Sequence, residues 1–522
     1  MTLRELIAGA GSDFASLLRP DGGSAAGISL KDPGVEVTDL AYRADGVSPG
    51  ALFFCVRGLS ADGHDFAHEA VKRGAAALVC ERPLGLGVPE LLVEDVRTAM
   101  PLLAASFFRH PTSELDLVGI TGTNGKTTTA FLVREIFERA GRQTGLLGTV
   151  HSIVGGAVEP VVRTTPESID LQRTFRRMVD AGDSACVMEV SSHALDLRRV
   201  DASHFDCAVF TNLTQDHLDF HESLEEYFGA KRRLFVGHST TTPSVPVINV
   251  DDSWGRRLLE ELAASGHANA VTFGVEGEAD YRAEGIKLRA DGSRFTCKYK
   301  GKPAEVALPL PGLFNVYNAL GAVAASSVLG VELDTALEAI AQAGRVPGRF
   351  EPVDEGQQFT VLVDYAHTPD SLASVLETAR ELLNQAGKGK LVCVFGAGGD
   401  RDRDKRPLMG AAARRLADHV VVTSDNPRSE DPQAIIAAIV EGAEQAAQGQ
   451  PEASVLEVEP DRRAAIAMAL TLAGPGDIVL IAGKGHEQGQ EFEGGRKVPF
   501  DDRDVAREEL RALARSSARP AA

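Results

Sequence analysis

Along the chain, short saturated apolar runs alternate with longer amphipathic stretches. ALFFCVRG (51–58) has a strand pattern, DFAHEAVKRG (65–74) a helix pattern and AAALVCE (75–81) a second strand pattern. That rhythm predicts a small α/β unit, with Pro111, Thr112 and Ser113 as a linker after it. LDLVGITGTNGKTTTAFLVREIFERAG (115–141) then carries a buried strand into a glycine-rich turn and an amphipathic helix. Further strands are expected at ACVMEV (185–190), CAVFTNL (207–213) and VPVINV (245–250), and an alanine-rich helix at NVYNALGAVAASSVLG (315–330). Such alternation predicts a mostly parallel sheet covered on both faces. After RVPGRFEPV (345–353) it returns at TVLVDYA (360–366), KLVCVFGA (390–397), DHVVVTS (418–424) and GDIVLIAG (476–483). The fold class is therefore α/β in three domains. A small N-terminal α/β domain spans 1–113, a central doubly wound, mostly parallel sheet spans 114–343, and a Rossmann-like α/β domain spans 344–522. The last residues, ARSSARPAA (514–522), are expected to fray.

Charge changes the picture of partners. The net charge of −20 excludes a nucleic-acid or anionic-membrane surface as the main partner, so anionic ligands must be held by local clusters of donors. Cys55, Cys80, Cys186, Cys207, Cys297 and Cys393 are scattered without a CxxC pair, which fits reduced thiols in a cytoplasmic protein. MTLRELIAGAGSDFASLL carries acids and no sustained apolar core, so it is not a signal peptide, and no apolar run is long enough to span a bilayer.

The strongest chemical signal is GTNGKTTT (122–129) at a strand-to-helix junction. Backbone N–H groups at a helix start cradle phosphate, Lys126 reaches the β/γ phosphates, and the Thr127 hydroxyl suits Mg²⁺. Position 120 is Ile where a full Walker A motif has glycine, so this is the shorter GxxGKT form. GAGGDR (396–401) lacks the last glycine of a dinucleotide fingerprint, and DRDRDK (400–405) has Lys405 where a Ca²⁺ loop needs glycine; neither carries that function. Glu189 ends one predicted strand, followed by Ser191, Ser192 and His193, while NLTQDHLDFH (212–221) places Asp216, His217, Asp219 and His221 after another. A lone histidine is more often structural, but both runs share the ligand-binding edge of an open α/β sheet. Lys231, beside Arg232 and Arg233, reads by spacing alone as part of a solvated helix face.

Taken in order, GTNGKTTT, EVSSHAL, NLTQDHLDFH, AKRRLF, GLFNVYNALGA, VPGRFE, DYAHTPDSL, GAGGDRDRDKRP, SDNPR and AGKGHE resemble the Mur ligases, and among them the tripeptide-forming branch. The resemblance covers all three blocks. It implies an ATP-dependent amide-forming enzyme of peptidoglycan precursor synthesis that works through an acyl phosphate. The implied partners are UDP-N-acetylmuramoyl-L-alanyl-D-glutamate, an amino acid and ATP, with two Mg²⁺ and a monomeric, cytoplasmic enzyme. ATP would lie on Gly122, Thr123, Asn124, Gly125, Lys126, Thr127 and Thr128, near Asn315 and Asn318, with Arg349 and Asp364 arriving from the third domain. Thr127, Glu189, His217 and Lys231, the last as a carbamate, would ligate metal, and Lys126, His217, Lys231 and Arg349 would be catalytic. Thr164, Thr165, Ser191 and Arg199 resemble contacts to the muramyl peptide. Arg43, Ala44 and Asp45 stand where many family members have Asp-Ser-Arg, which leaves the uracil and ribose contacts unassigned.

VVTSDNPRSEDP (421–432) bears on which amino acid is added. In the resembled family, DNPR marks enzymes that add meso-diaminopimelate rather than L-lysine. A guanidinium such as Arg428 suits the extra carboxylate, and Asp425 or Asn426 could accept from the ammonium. Arg401, Gly483 and Glu487 match further amino-acid contacts. With L-lysine, a buried Arg428 would lack a partner, at a cost of several kcal/mol. The rivals are an L-lysine-adding ligase, a folylpolyglutamate synthase, which lacks SDNPR and GKGHE, and a decayed ATP-binding scaffold.

Overall fold

The computed structural model describes residues 1–19, 28–29, 34–58, 61–236, 243–267, 269–448 and 454–517. Two compact units are distinguished: Met1–Thr121, Gly141–Ala208 and Ala230–Pro246 form one, and Gly122–Ala140, Val209–Gly229 and Val247–Ala522 the other.

The first unit begins with a five-stranded sheet in the order Ile28–Ser29, Glu90–Leu92, Ala77–Cys80, Ala51–Phe54, Asp39–Ala41, all parallel except the first pair. Alternate residues of one strand feed two apolar layers. Leu52, Phe54, Ala77 and Val79 pack with Leu3, Leu6 and Met100, whereas Ala51, Phe53, Leu78 and Cys80 pack with Ala67 and Ala70. A strand buried on both faces loses its alternating pattern, which is why ALFF reads as a saturated run. Burying each large side chain stabilises by about 1.5–3 kcal/mol. The predicted helix at 65–74 is a 3₁₀ turn at Gly63–Phe66 followed by the helix Ala67–Lys72.

Pro111–Ser113 is not an exposed linker. It forms a 3₁₀ turn with Pro111 and Thr112 buried, and the Thr112 hydroxyl accepts from His204 N at 3.1 Å. The strands Asp116–Thr121, Ala185–Glu189 and Thr144–Leu147 then pair in parallel, with Glu189 opposite Ile120. Ser152–Val154 and Ala157–Glu159 continue the sheet antiparallel.

In the second unit, the strand Val245–Asn249 pairs from Val247 onward in parallel with Val271–Gly274, which pairs in parallel with Tyr281–Arg289, and Gly292–Tyr299 and Lys302–Leu308 add an antiparallel meander. The mostly parallel expectation holds for the predicted strands but omitted this meander. Its signal is present: Asp291-Gly292 and Lys300-Gly301 interrupt alternating segments, and such dipeptides make hairpin turns.

The C-terminal sheet is six-stranded, in the order Glu351–Val353, Thr360–Asp364, Ile478–Ala482, Leu391–Phe395, His419–Val422, Val455–Val458. Only the first strand is antiparallel. Cys393, Phe395 and Leu480 face one apolar layer, and Val392, Val394 and Ile481 the other. The strand Ile478–Ala482 inserts between Thr360–Asp364 and Leu391–Phe395, so the strand order reverses there. Loops after these strands flank a crevice of the kind that binds ligands in open α/β sheets. The helix Asp502–Ser517 continues into the stretch expected to fray; residues 518–522 lie outside the described residues. Among the described residues, no helix is long and apolar enough to cross a membrane. All six cysteines are buried and none is in a disulfide.

Candidate active site

The strand Asp116–Thr121 leads through Gly122–Gly125 into the helix Lys126–Arg139. Gly122 and Gly125 have φ of +148° and +86°, a backbone that side chains resist. A Cβ would also meet the Thr211 hydroxyl at Gly122 and Asn318 Oδ1 at Gly125. The loop is held from the 211–214 segment: Thr123 N donates to Asn212 O and Asn124 N to Asn212 Oδ1, both at 2.9 Å, while the Thr211 hydroxyl donates to Asn124 O at 2.7 Å. Lys126 Nζ folds back onto the carbonyls of Gly122 and Thr123 at 3.0 and 2.8 Å.

Arg349 reaches this loop, donating through Nη2 to the Thr127 hydroxyl at 2.9 Å and stacking 4.4 Å from the Tyr365 ring centroid. Asp364 fixes the neighbouring backbone by accepting from Phe350 N at 2.6 Å and Ala366 N at 2.7 Å. Burial raises the Asp364 carboxyl above its ordinary range, opposed by the Arg349 charge. Asn315 and Asn318 lie on one face of Leu313–Val328 and are buried. Asn318 donates to Asn315 Oδ1 at 3.2 Å and accepts from the Thr129 hydroxyl at 3.3 Å, so these amides buttress the start of the phosphate-loop helix. Asp370, missed in the sequence, accepts from Asn124 Nδ2 at 3.0 Å.

His217 has φ of +57°, an unusual backbone for histidine that concentrates at functional sites. Asp216 is buried, 3.4 Å from His217, 3.5 Å from Lys405 and 3.7 Å from His367. Burial disfavours its charge, but His217, the hydrogen bond from His367 and the Lys405 ammonium hold its carboxyl well below the usual range. Asp219 lies 3.8 Å from Arg401.

In the other unit, Glu189 is held by Thr149, whose N and hydroxyl donate at 2.7 and 3.1 Å. Thr164 shares a 3.1 Å hydrogen bond with Thr149. Thr165 donates to Glu189 O at 2.9 Å and accepts from Ser191 N at 3.1 Å, and Arg199 donates to Thr165 O at 3.2 Å. The four residues expected at the muramyl peptide therefore form one cluster with Glu189. Glu167, missed in the sequence, is buried with Arg199 at 3.0 Å, Arg163 at 2.9 Å and Arg97 at 3.6 Å. Lys231 is 1% exposed, which rules out the solvated-face reading. Among the described residues, no three His, Cys, Asp or Glu side chains form a ready cation cage.

At the crevice of the C-terminal sheet, the loops after three strands interlock. Asn426 Nδ2 donates to Glu487 Oε2 at 2.8 Å, and its Oδ1 accepts from Lys484 Nζ and Glu491 N, both at 2.9 Å. Arg428, at φ +51°, donates from Nε to Glu491 Oε2 at 3.1 Å and from Nη1 to Gly399 O at 2.6 Å. This corrects the expectation that Arg428 lacks a partner unless a substrate carboxylate is present: Glu491 supplies one. Asn426 is likewise committed through Oδ1 and is not an open acceptor for an ammonium. Asp425 is buried; burial raises its carboxyl, but Lys484 and Arg462 outweigh that and hold it below the usual range. Arg462 is itself fully buried, bound to Asp502 at 2.8 and 2.7 Å and to Ala482 O at 2.9 Å. At Gly483, with φ of +115°, a Cβ would meet Asp425 Oδ2 at 2.5 Å. Arg401 is half-exposed beside Gly398, which Arg428 also approaches. Lys484, Glu491 and Arg462 were missed because charged side chains partnered only through the fold have no local sequence pattern.

A short phosphate loop joined to a second α/β sheet with a charged crevice defines an ATP-dependent ligase of the Mur type, and the chain belongs to the Mur ligase family. Residues 36–107 match the Mur ligase family catalytic domain, 120–326 the Mur ligase middle domain and 348–485 the Mur ligase glutamate ligase domain. The chain is 48% identical over 477 residues to a UDP-N-acetylmuramoyl-L-alanyl-D-glutamate–2,6-diaminopimelate ligase of Geobacillus thermodenitrificans, covering 90% of this chain and 94% of that one. A solved structure of a ligase with the same description is 31% identical, with a TM-score of 0.64 over 92% of this chain and 95% of that one. The MurF ligase of Thermotoga maritima, solved in complex with ADP, shares the fold at 20% identity and a TM-score of 0.58, covering 91% and 96%.

Proposed function

We propose that this chain joins meso-2,6-diaminopimelate to UDP-N-acetylmuramoyl-L-alanyl-D-glutamate at the expense of ATP, in peptidoglycan precursor synthesis. The observation that carries this reading is that a cation and an anion are tied to the same amide at the C-terminal crevice: Glu487 accepts from Asn426 Nδ2, and Glu491, whose N–H donates to Asn426 Oδ1, holds Arg428. Diaminopimelate presents a carboxylate and an ammonium together at its far end, and L-lysine presents the ammonium alone. The description of the 48%-identical relative supports the same choice. The L-lysine-adding alternative no longer fails on an unpaired Arg428, so the preference rests on the opposite charges, the DNPR run and that relative.

In this reading Lys126 and the backbone of Gly122–Thr128 take the triphosphate, with Asn315 and Asn318 bracing the loop. Arg349 supports charge on the transferring phosphoryl group from its place beside Thr127, and Asp364 fixes the backbone that carries it. Thr164, Thr165, Ser191 and Arg199 hold the muramyl peptide, whose terminal carboxylate attacks the γ-phosphorus; ADP leaves and an acyl phosphate forms. The neutral amine, positioned by Arg401, Asp425, Arg428, Gly483 and Glu487, attacks the acyl carbon and phosphate departs. Such transfers depend mainly on positioning and charge neutralisation.

The donors fit magnesium. Glu189 presents a carboxylate oriented by Thr149, Thr127 and His217 add oxygen and nitrogen, and a carbamate on Lys231 replaces a buried cation with an anion. These residues would hold two Mg²⁺, which supply charge neutralisation to the phosphoryl oxygens. We include in the proposal the division 1–113, 114–343 and 344–522, a cytoplasmic location and a monomeric state, the last read by sedimentation. The reaction is tested with purified chain and all three substrates. ADP and a UDP-muramyl tripeptide should form together; ATP turnover that needs no amino acid contradicts the reading.

A further inference from the structure

Asn426, Lys484 and Glu487 form a closed hydrogen-bonded ring whose polarity is fixed. The Glu491 N–H and the Lys484 ammonium can only donate, so the Asn426 atom that they meet is its oxygen. The opposite face of the amide is then the donor, and it meets Glu487 Oε2, which also accepts from Lys484 at 2.9 Å. Both lone-pair directions of Asn426 Oδ1 are filled, and Glu487 Oε2 is filled twice. Among the described residues nothing hydrogen-bonds Glu487 Oε1, and the Glu487 side chain is 31% exposed while that of Lys484 is 0% exposed. Glu491, whose N–H donates to Asn426 Oδ1 from outside the ring, also holds Arg428 through its carbonyl and carboxylate, so the cation and the anion of the crevice share one frame.

We propose that Lys484 is a positioning residue for amino-acid selection. By tying Asn426 and Glu487 together it leaves Glu487 Oε1 as the acceptor for the distal ammonium of the incoming amino acid, with Asn426 as part of the frame. The proposal rests on the diaminopimelate reading above. Lys484 has no contact role with the substrate; it acts by keeping Glu487 in the one rotamer that pairs with an ammonium beside Arg428.

The test is steady-state kinetics on the full chain with Lys484→Met, Glu487→Gln and the double variant. Lys484→Met should raise KM for meso-diaminopimelate about tenfold or more, the worth of one charge-assisted hydrogen bond, with KM for ATP and the UDP-muramyl dipeptide within about twofold. Because Lys484 works through Glu487, the double variant should have nearly the KM of Glu487→Gln alone. A purely structural role predicts additive losses or equal losses for all three substrates, and either result overturns the proposal. Lys484→Gln, which removes the charge at similar length, serves if Lys484→Met does not fold; an unshifted amino-acid KM in either folded charge-removing variant also overturns it. No turnover of meso-diaminopimelate by the unsubstituted chain refutes the function itself, whereas turnover with an unshifted KM refutes only the role of Lys484.

Discussion

Arg349 Nη2 donates to the Thr127 hydroxyl at 2.9 Å across 222 residues of sequence, linking the phosphate loop to the segment that opens the C-terminal block. That contact places a permanent cation beside the expected nucleotide. Arg349→Ala should lower kcat for phosphate release by about 100-fold or more, as loss of a preorganised charge donor does. A kcat within about threefold of the unsubstituted value removes Arg349 from the reaction.

Lys231 is buried as deeply as the core phenylalanines, yet it sits in a helix next to two arginines. If it carries a carbamate, ¹³C-bicarbonate should give a carbamate carbonyl resonance in NMR. That resonance should vanish in Lys231→Ala together with turnover. A signal that survives the substitution assigns the carbamate elsewhere.

Arg428 is tied to Glu491 and Gly399 O, but its Nη2 has no hydrogen bond among the described residues. Arg428→Ala should therefore raise KM for meso-diaminopimelate roughly tenfold to 100-fold, from the loss of about 1.5–3 kcal/mol of charged hydrogen bonding, and spare ATP binding. Equal effects on both substrates would assign Arg428 to the fold alone.

Asp62 supplies a pH signature of stability. Burial raises its carboxyl, but the backbone and imidazole of His64 and the Arg82 guanidinium outweigh this and bring it down to about 2 from 3.8. The folded-state value is depressed, so the stabilisation is fully present above about pH 4 and is lost as pH falls towards 2. Urea midpoints of Asp62→Asn should lose part of the fall seen in the parent over that window; identical pH slopes contradict the assignment.

The parallel strands and the phosphate loop were legible because saturated runs such as LVCVF and VMEV have two buried faces and because GTNGKTTT is a local geometry. The Tyr281–Leu308 meander was legible in principle, through its Asp-Gly and Lys-Gly turns, and was overlooked. The partners were not legible. Glu491, Lys484 and Arg462 meet Arg428, Asn426 and Asp502 only after loops and strands distant in sequence are brought together, and no spacing rule encodes that. At Pro111–Ser113 the composition marked a connection, and the structure makes it a 3₁₀ turn whose Pro111 and Thr112 are buried, which no local signal announced.

The central claim is the identity of the joined amino acid, and competing amines in a phosphate-release assay test it most directly. With ATP, Mg²⁺ and UDP-N-acetylmuramoyl-L-alanyl-D-glutamate present, meso-diaminopimelate should support release and L-lysine should support far less. Efficient release with L-lysine and none with meso-diaminopimelate would contradict the account.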